Sequence, residues 1–276
     1  MNSSFIPWPT VRSRFLHWRP VCVARYHAYR ILLSSPKRVE CNLCQWRGRH
    51  FLTYGQEYVL CPQCGSQIRH RLIAMALRTI DFLNSDRWIK GKRVLHFAPE
   101  YCLGLLFRNC AQKYMKADWL GKDFDIKADL CHMTNILDAS FDVLVANDVL
   151  EHIPNDRAAL SEIFRVLADP GLAILTVPQV RGRDRTLEDP QVNTDRARRL
   201  VYGQADHVRL PGRDYVDRIL EAGFRATVVN HESFAPEDVK CHVLYPPSLS
   251  GDEVLRYERN IFFCFKETSS GNSGGS

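Results

Sequence analysis

From residue 92 onward, short apolar runs alternate with amphipathic stretches. Arg93–Phe97 reads as a first strand, and Tyr114–Asp118 as a second that ends in acid. Asp129-Leu130 follows a third, Phe141–Ala146 is a fourth, and Leu172–Pro178 a fifth. Between the last two, Asn155 can cap a helix over Asp156–Ala168 whose apolar face is Ala159, Leu160, Ile163, Phe164 and Leu167. Asp169-Pro170-Gly171 reads as a turn. A helix over Asp214–Ala222 stops at Gly223. Phe224–Asn230 and Ile261–Lys266 then read as a closing antiparallel pair. Strands separated by helical periods predict an α/β fold: a mostly parallel sheet with helices on both faces and an antiparallel last strand. Upstream, Ser66 can cap a helix to about Leu83, with Ile68, Leu72, Met75, Ala76, Ile80 and Leu83 as its buried stripe. Arg69, His70, Arg71 and Arg78 fall mostly off that stripe; they could meet substrate, but solvation is the expected role.

In such a sheet a ligand sits beyond the carboxyl ends of the strands, and unusual polar residues cluster there. The loop after the first strand, Ala98-Pro99-Glu100-Tyr101-Cys102-Leu103-Gly104, keeps one glycine and is poorly suited to wrap a pyrophosphate. Glu100 would repel phosphates but could accept from an ammonium, which favours a cofactor with an amino-acid end over NAD or ATP. Asp118 stands eighteen residues past Glu100, where an acid accepts from ribose hydroxyls, with Asp123 and Asp125 as rivals. Asp129 and Leu130 could hold the edge and face of an adenine. Asn147, Asp148, Glu151 and His152 crowd the end of the fourth strand.

Cys41-x2-Cys44 is followed by Cys61-x2-Cys64, a spacing that matches a four-cysteine zinc site. Four thiolates leave no open position on the ion, so this metal would be structural. Two disulfides or two redox pairs are the competing readings. The other six of the ten cysteines are scattered, as in a reduced, cytoplasmic protein.

The net charge of +6 permits an anionic partner without requiring one. No apolar run approaches a membrane span. The first 39 residues carry arginines interleaved with aromatics and no acid, a composition suited to RNA, to peripheral contact with a membrane, or to packing on the body. The chain thus divides into a basic aromatic arm (1–39), a zinc ribbon (40–65), a linking helix (66–91), a main domain (92–268) and a low-complexity tail (269–276) expected to be disordered. Residues 179–206, polar and arginine-rich, form an insertion at the active edge. It reads as a lid or as solvated chain.

Ser-Phe-Asp-Val-Leu-Val-Ala-Asn (140–147), Asp-Val-Leu-Glu-His-Ile-Pro-Asn-Asp (148–156) and Leu-Ala-Asp-Pro-Gly-Leu-Ala-Ile-Leu-Thr-Val-Pro (167–178) resemble the class I S-adenosylmethionine-dependent methyltransferases of the type 11 group. The resemblance covers about 92–230 and implies a Rossmann-like methyltransferase sheet that binds S-adenosyl-L-methionine. The first loop departs from the usual Asp-x-Gly-x-Gly-x-Gly: His96 stands in the acid's place, and Ala98 and Glu100 in place of the first glycines. By resemblance, His96, Ala98 and Glu100 would hold the methionine portion, Asp118 the ribose, Asp129 and Leu130 the adenine, and Asn147 would lie beside the sulfonium. His207-x-Arg209 resembles a segment that faces the acceptor pocket in that family. A hydroxyl acceptor needs a base, and His207 and His152 are the candidates. The acceptor expected is a small molecule or glycan, methylated at oxygen. RNA held by ribbon and arm, or a binding module that has lost its cofactor, are the alternatives.

Overall fold

The computed structural model describes residues 39–54, 56–121, 123–246 and 257–267. The basic arm and the low-complexity tail fall outside the described residues. The cysteine module is built from two small hairpins. Strands β1 (Val39–Glu40) and β2 (Arg47–Gly48) flank the first cysteine pair, and β3 (Leu52–Tyr54) and β4 (Gln56–Leu60) lead to the second. Helix α1 (Ile68–Thr79) leaves the module, and a single turn, α2 (Ser85–Trp88), precedes the main domain.

In the main domain, β5 (Arg93–Phe97), α3 (Tyr101–Cys110), β6 (Lys113–Asp118), β7 (Ile126–Lys127), β8 (Phe141–Asn147), α4 (Asp156–Val166) and β9 (Leu167–Thr176) follow in alternation. Then come β10 (Gln179–Val180), α5 (Asp195–Tyr202), α6 (Tyr215–Glu221), β11 (Arg225–Val229), α7 (Pro236–His242), β12 (Tyr257–Glu258) and β13 (Ile261–Lys266). Seven strands form one sheet in the order β11-β13-β9-β8-β5-β6-β7. β9, β8, β5, β6 and β7 run parallel, and β13 lies antiparallel to both β9 and β11. This mostly parallel sheet with flanking helices fits a Rossmann-like methyltransferase fold.

Strand alternation divides the core into two faces. Leu95, Leu144, Ala146, Ala173, Leu175 and Phe262 pack under α4 and α6. On the other face, Val94, Val143, Val145, Ile174 and Phe263 join Leu72, Ile73 and Leu77 of α1, Phe107 of α3, and Cys41, Phe51 and Cys61 of the cysteine module in one cluster. The module is therefore not a knob set apart from the sheet, as its sequence position suggests. Each fully buried large apolar side chain contributes roughly 1.5–3 kcal/mol, so the shared face binds module and sheet firmly.

Three local readings are corrected. Ser66 does not cap α1. Gln67 does, in a reciprocal box with His70, while the Ser66 hydroxyl lies 3.3 Å from Cys41 Sγ. The helix also stops at Thr79, because Ile80 is extended and Leu83 belongs to a separate turn. Nor are Arg69, His70 and Arg71 solvated: His70 and Arg71 are buried and Arg69 is largely so, while Arg78 alone is exposed. Periodicity marks which residues face the nearest apolar surface. It does not reveal a second surface closing over the other side of the helix.

The 179–206 insertion is folded onto the domain. β10 pairs with β12, Leu187 bridges Leu210, and the buried Tyr202 hydroxyl accepts from the Asp189 amide at 2.8 Å. Among the described residues, no helix is long and apolar enough to cross a membrane.

Candidate active site

Register sets the rim of the sheet. Phe97 pairs with Ala146 and Ala146 with Leu175, so the next residues on each strand, Ala98, Asn147 and Thr176, reach one edge together. At this edge the backbone bends sharply: Ala98 and Asp148 both adopt positive φ, at 46° and 48°. For residues with a Cβ such conformations are costly, and they cluster at functional sites.

Glu100 stands at the centre. His96 Nε2 lies 2.9 Å from one carboxylate oxygen, and Asn147 Nδ2 donates to the same oxygen at 3.3 Å. His70 Nε2 lies 3.2 Å from the other oxygen, with an Arg69 nitrogen 3.8 Å away. Burial alone would raise the Glu100 pKa, but hydrogen bonds and charge from His70 and His96 outweigh it and hold the carboxyl well below its usual range. Burial lowers the pKa of His70, reinforced by Arg69, against the pull of Glu100. Tyr114 contacts His96 Nδ1 through its hydroxyl at 3.0 Å and completes the chain. α1, the helix leaving the cysteine module, thus supplies two of the four groups that position Glu100.

A second group lies beside the first. Asp148 is 3.3 Å from Arg69 Nε and accepts from the Thr176 hydroxyl at 2.8 Å. Burial would raise its pKa, but Arg69, Arg259 and Thr176 lower it. Glu151 is 1% exposed, and burial followed by the charge of Asp148 pushes its pKa well above the usual range. His152, 27% exposed, packs edge-on against His207 with ring centres 4.8 Å apart. His207 is 2% exposed, and burial, then the neighbouring His152, lowers its pKa to about 4. Arg209 secures this corner from below, donating to the carbonyls of Leu150, Ile153 and Pro154 at 2.5, 2.6 and 3.0 Å and pairing with Asp156 and Glu188.

The other sequence-derived positions lie further along the rim. Asp118 ends β6, and its Oδ1 accepts from the Leu120 amide. Asp129 follows β7 and accepts from the Cys131 amide in a tight turn. The Leu130 side chain is buried in the α4 face of the core. The structure brings His96, Glu100 and Asn147 together across the adjacent ends of β5 and β8 and packs His152 against His207 beyond β8, while Asp118 and Asp129 follow β6 and β7. Arg69, His70 and Thr176 escaped sequence reasoning. The signal available was that Arg69 and His70 follow directly on the last cysteine knuckle, whose fixed turn aims the start of the helix.

The four cysteines of the module meet as their spacing predicts. Cys41 and Cys44 belong to one turn and Cys61 and Cys64 to its equivalent: the Gln45 amide donates to the Cys41 carbonyl at 2.8 Å, and the Gly65 amide to Cys61 at 2.9 Å. Gln45 and Gly65 share a positive φ, at 62° and 71°. Cys41 Sγ lies 3.6 Å from Cys64 Sγ, Cys44 Sγ lies 3.6 Å from Cys61 Sγ, and all four sulfurs fall within 4.8 Å of one another. These distances exclude disulfides. A tetrahedral ion at ~2.3 Å from each sulfur spaces them about 3.8 Å apart, which this cluster fits.

Residues 105–175 match a family described as Methyltransferase domain. The match runs from α3 to β9 and includes Asp118, Asp129, Asn147 and the Leu150–His152 turn. It supports a class I methyltransferase. No curated protein matches the chain. Among solved structures, the chain is similar to an S-adenosylmethionine-dependent methyltransferase from Mesorhizobium loti, at 16% identity over 65% of this chain and 93% of that one, with a TM-score of 0.45. It is also similar to a phosphoethanolamine N-methyltransferase of Haemonchus contortus (14% identity, 74% and 54% covered, TM-score 0.49). An arsenic(III) S-adenosylmethionine methyltransferase from Chlamydomonas reinhardtii is a third (18%, 66% and 66%, 0.40).

Proposed function

We propose that the protein is an S-adenosylmethionine-dependent methyltransferase that acts on an oxygen of a small molecule or glycan. The observation that carries this reading is Asn147. It ends the central strand of the matched domain, is buried, and its Oδ1 has no partner in the structure. A buried carbonyl oxygen without a donor costs about 1–3 kcal/mol, and the ammonium of an amino-acid cofactor would satisfy it. S-adenosylmethionine, when bound, supplies an activated methyl group on a sulfonium. Glu100, fixed by His70 and His96, presents negative charge toward that ammonium, and Asp118 offers a carboxylate to ribose hydroxyls. Ala98 lets the chain turn close to the methionine end, while Asp129 and Leu130 border the adenine position.

Displacement at the sulfonium needs the acceptor held in line, with a base where the acceptor is a hydroxyl. The Glu151–His152–His207 corner lies one turn beyond Asn147 and receives that proton. His207→Ala is expected to lower turnover about a hundredfold with cofactor affinity unchanged, measured by parallel rate and binding assays. Unchanged turnover would remove the corner from the chemistry.

We further propose that the four-cysteine cluster holds zinc in a structural role. The ribbon offers little to RNA: of its two arginines, Arg47 is ion-paired with Glu40 at 2.9 Å. A small acceptor is therefore the preferred reading. Calorimetry with S-adenosylhomocysteine tests the whole proposal. One molecule should bind per chain, and Asn147→Leu should weaken binding about tenfold, equivalent to ~1.4 kcal/mol. Absence of binding to the wild-type chain would leave only a module that has lost its cofactor.

A further inference from the structure

We propose that Glu151, His152 and His207 form a binding site for one divalent transition-metal ion, separate from the cysteine cluster. One ligand atom from each residue lies within 4.8 Å of the other two. Two imidazoles and one carboxylate are a donor set that suits manganese, iron, cobalt or zinc and leaves coordination positions open.

The hydrogen bonds around the two rings point the same way. His152 Nδ1 lies 3.2 Å from the Asp206 backbone carbonyl and donates to it, which leaves Nε2 with a free lone pair. That Nε2 is the nitrogen 3.8 Å from Glu151 Oε1. His207 Nδ1 is buried with no partner. Glu151 Oε2 is also buried with no partner. His152 thus commits one nitrogen to a backbone carbonyl and keeps the other free, the arrangement that orients imidazoles toward metals, and His207 keeps a free ring nitrogen beside it. A buried oxygen and a buried ring nitrogen, both unsatisfied and facing one corner, are costly unless something occupies it.

The corner is also rigid. The Val208 amide donates to the Glu151 carbonyl at 3.0 Å, which ties the segment carrying His207 to the turn carrying the other two ligands. Arg209 fixes the same turn through three carbonyls. Asp148 and Asp206 add negative charge around Glu151. Metal binding stands on these donors alone. Its use in the reaction, as a Lewis acid that lowers the pKa of an acceptor hydroxyl and so takes the place of the two imidazoles as base, rests on the methyl-transfer reading.

The test is titration of the full chain, with zinc filling the cysteine cluster, by Co2+, followed by visible absorption and by metal analysis. The expected result is one cobalt per chain with a nitrogen- and oxygen-ligand spectrum and no thiolate charge-transfer band. Glu151→Gln and His207→Gln should each weaken binding at least tenfold. His152→Gln, at a partly exposed position where folding is not at stake, should do the same. Cobalt that binds only with the thiolate band, no cobalt beyond the zinc, or equal binding by all three variants would overturn the proposal. S-adenosylhomocysteine binding, measured on the same samples, reports separately on the methyltransferase reading.

Discussion

Replacing Arg71 with methionine is expected to destabilise the protein by about 3–5 kcal/mol. The guanidinium is fully buried and donates to the carbonyls of His242 at 2.7 Å, Ser66 at 2.8 Å, and Val59 and Val243 at 3.0 Å each. It also stacks 4.3 Å over the Phe51 ring. Three distant segments converge on it: the second ribbon hairpin, the knuckle after Cys64, and the end of α7. Methionine fills much the same volume but takes a donor from four carbonyls, of which Ser66 keeps the Cys61 amide at 2.9 Å, and each carbonyl left without a partner costs ~1–3 kcal/mol before relaxation. Burial draws the Arg71 pKa down to about 10, while charge at Cys41, Cys61 and Cys64 pulls it back up. The same cation therefore offsets the thiolates proposed to hold the ion. Urea unfolding should show a lower midpoint at an unchanged slope. A change under 1 kcal/mol would show that these bonds are replaceable by water.

The second large effect is removal of the zinc proposed for the cysteine cluster. Binding of a structural zinc is worth roughly 10–16 kcal/mol in small modules, and here the module shares its core with one face of the sheet. Chelation is expected to speed hydrogen exchange across 39–66 and into α1, and to abolish S-adenosylhomocysteine binding, because Arg69 and His70 would no longer hold Glu100. A chain proven free of metal by elemental analysis that still binds the nucleoside with full affinity would break this link.

Much of the main domain was legible because its signals are local. The strand at Arg93–Phe97, the acid closing β6, the Asn155 cap and the four-cysteine spacing each depend on residues close in sequence. The wiring between module and site was not legible. Arg71 finds acceptors 171 and 172 residues away, and Glu100 is held by a histidine 30 residues upstream. Such contacts leave no period in the chain. The sequence marks Glu100 as an acceptor for an ammonium, whereas much of its bonding capacity is committed to His70, His96 and Asn147. His207 was read as a base beside the insertion. Its burial and its pairing with His152 emerge only once the Leu150–His152 turn and the 207–209 segment are brought side by side.

The border near residue 92 is a seam in the sequence only. With Leu72, Ile73 and Leu77 cut away, Val94, Val143, Ile174 and Phe263 would meet water on an otherwise intact sheet. A shortened version cloned from that point to isolate the catalytic half would therefore be sticky rather than minimal. For the same reason, nature could not readily swap the cysteine half for another without redesigning the strands beneath it.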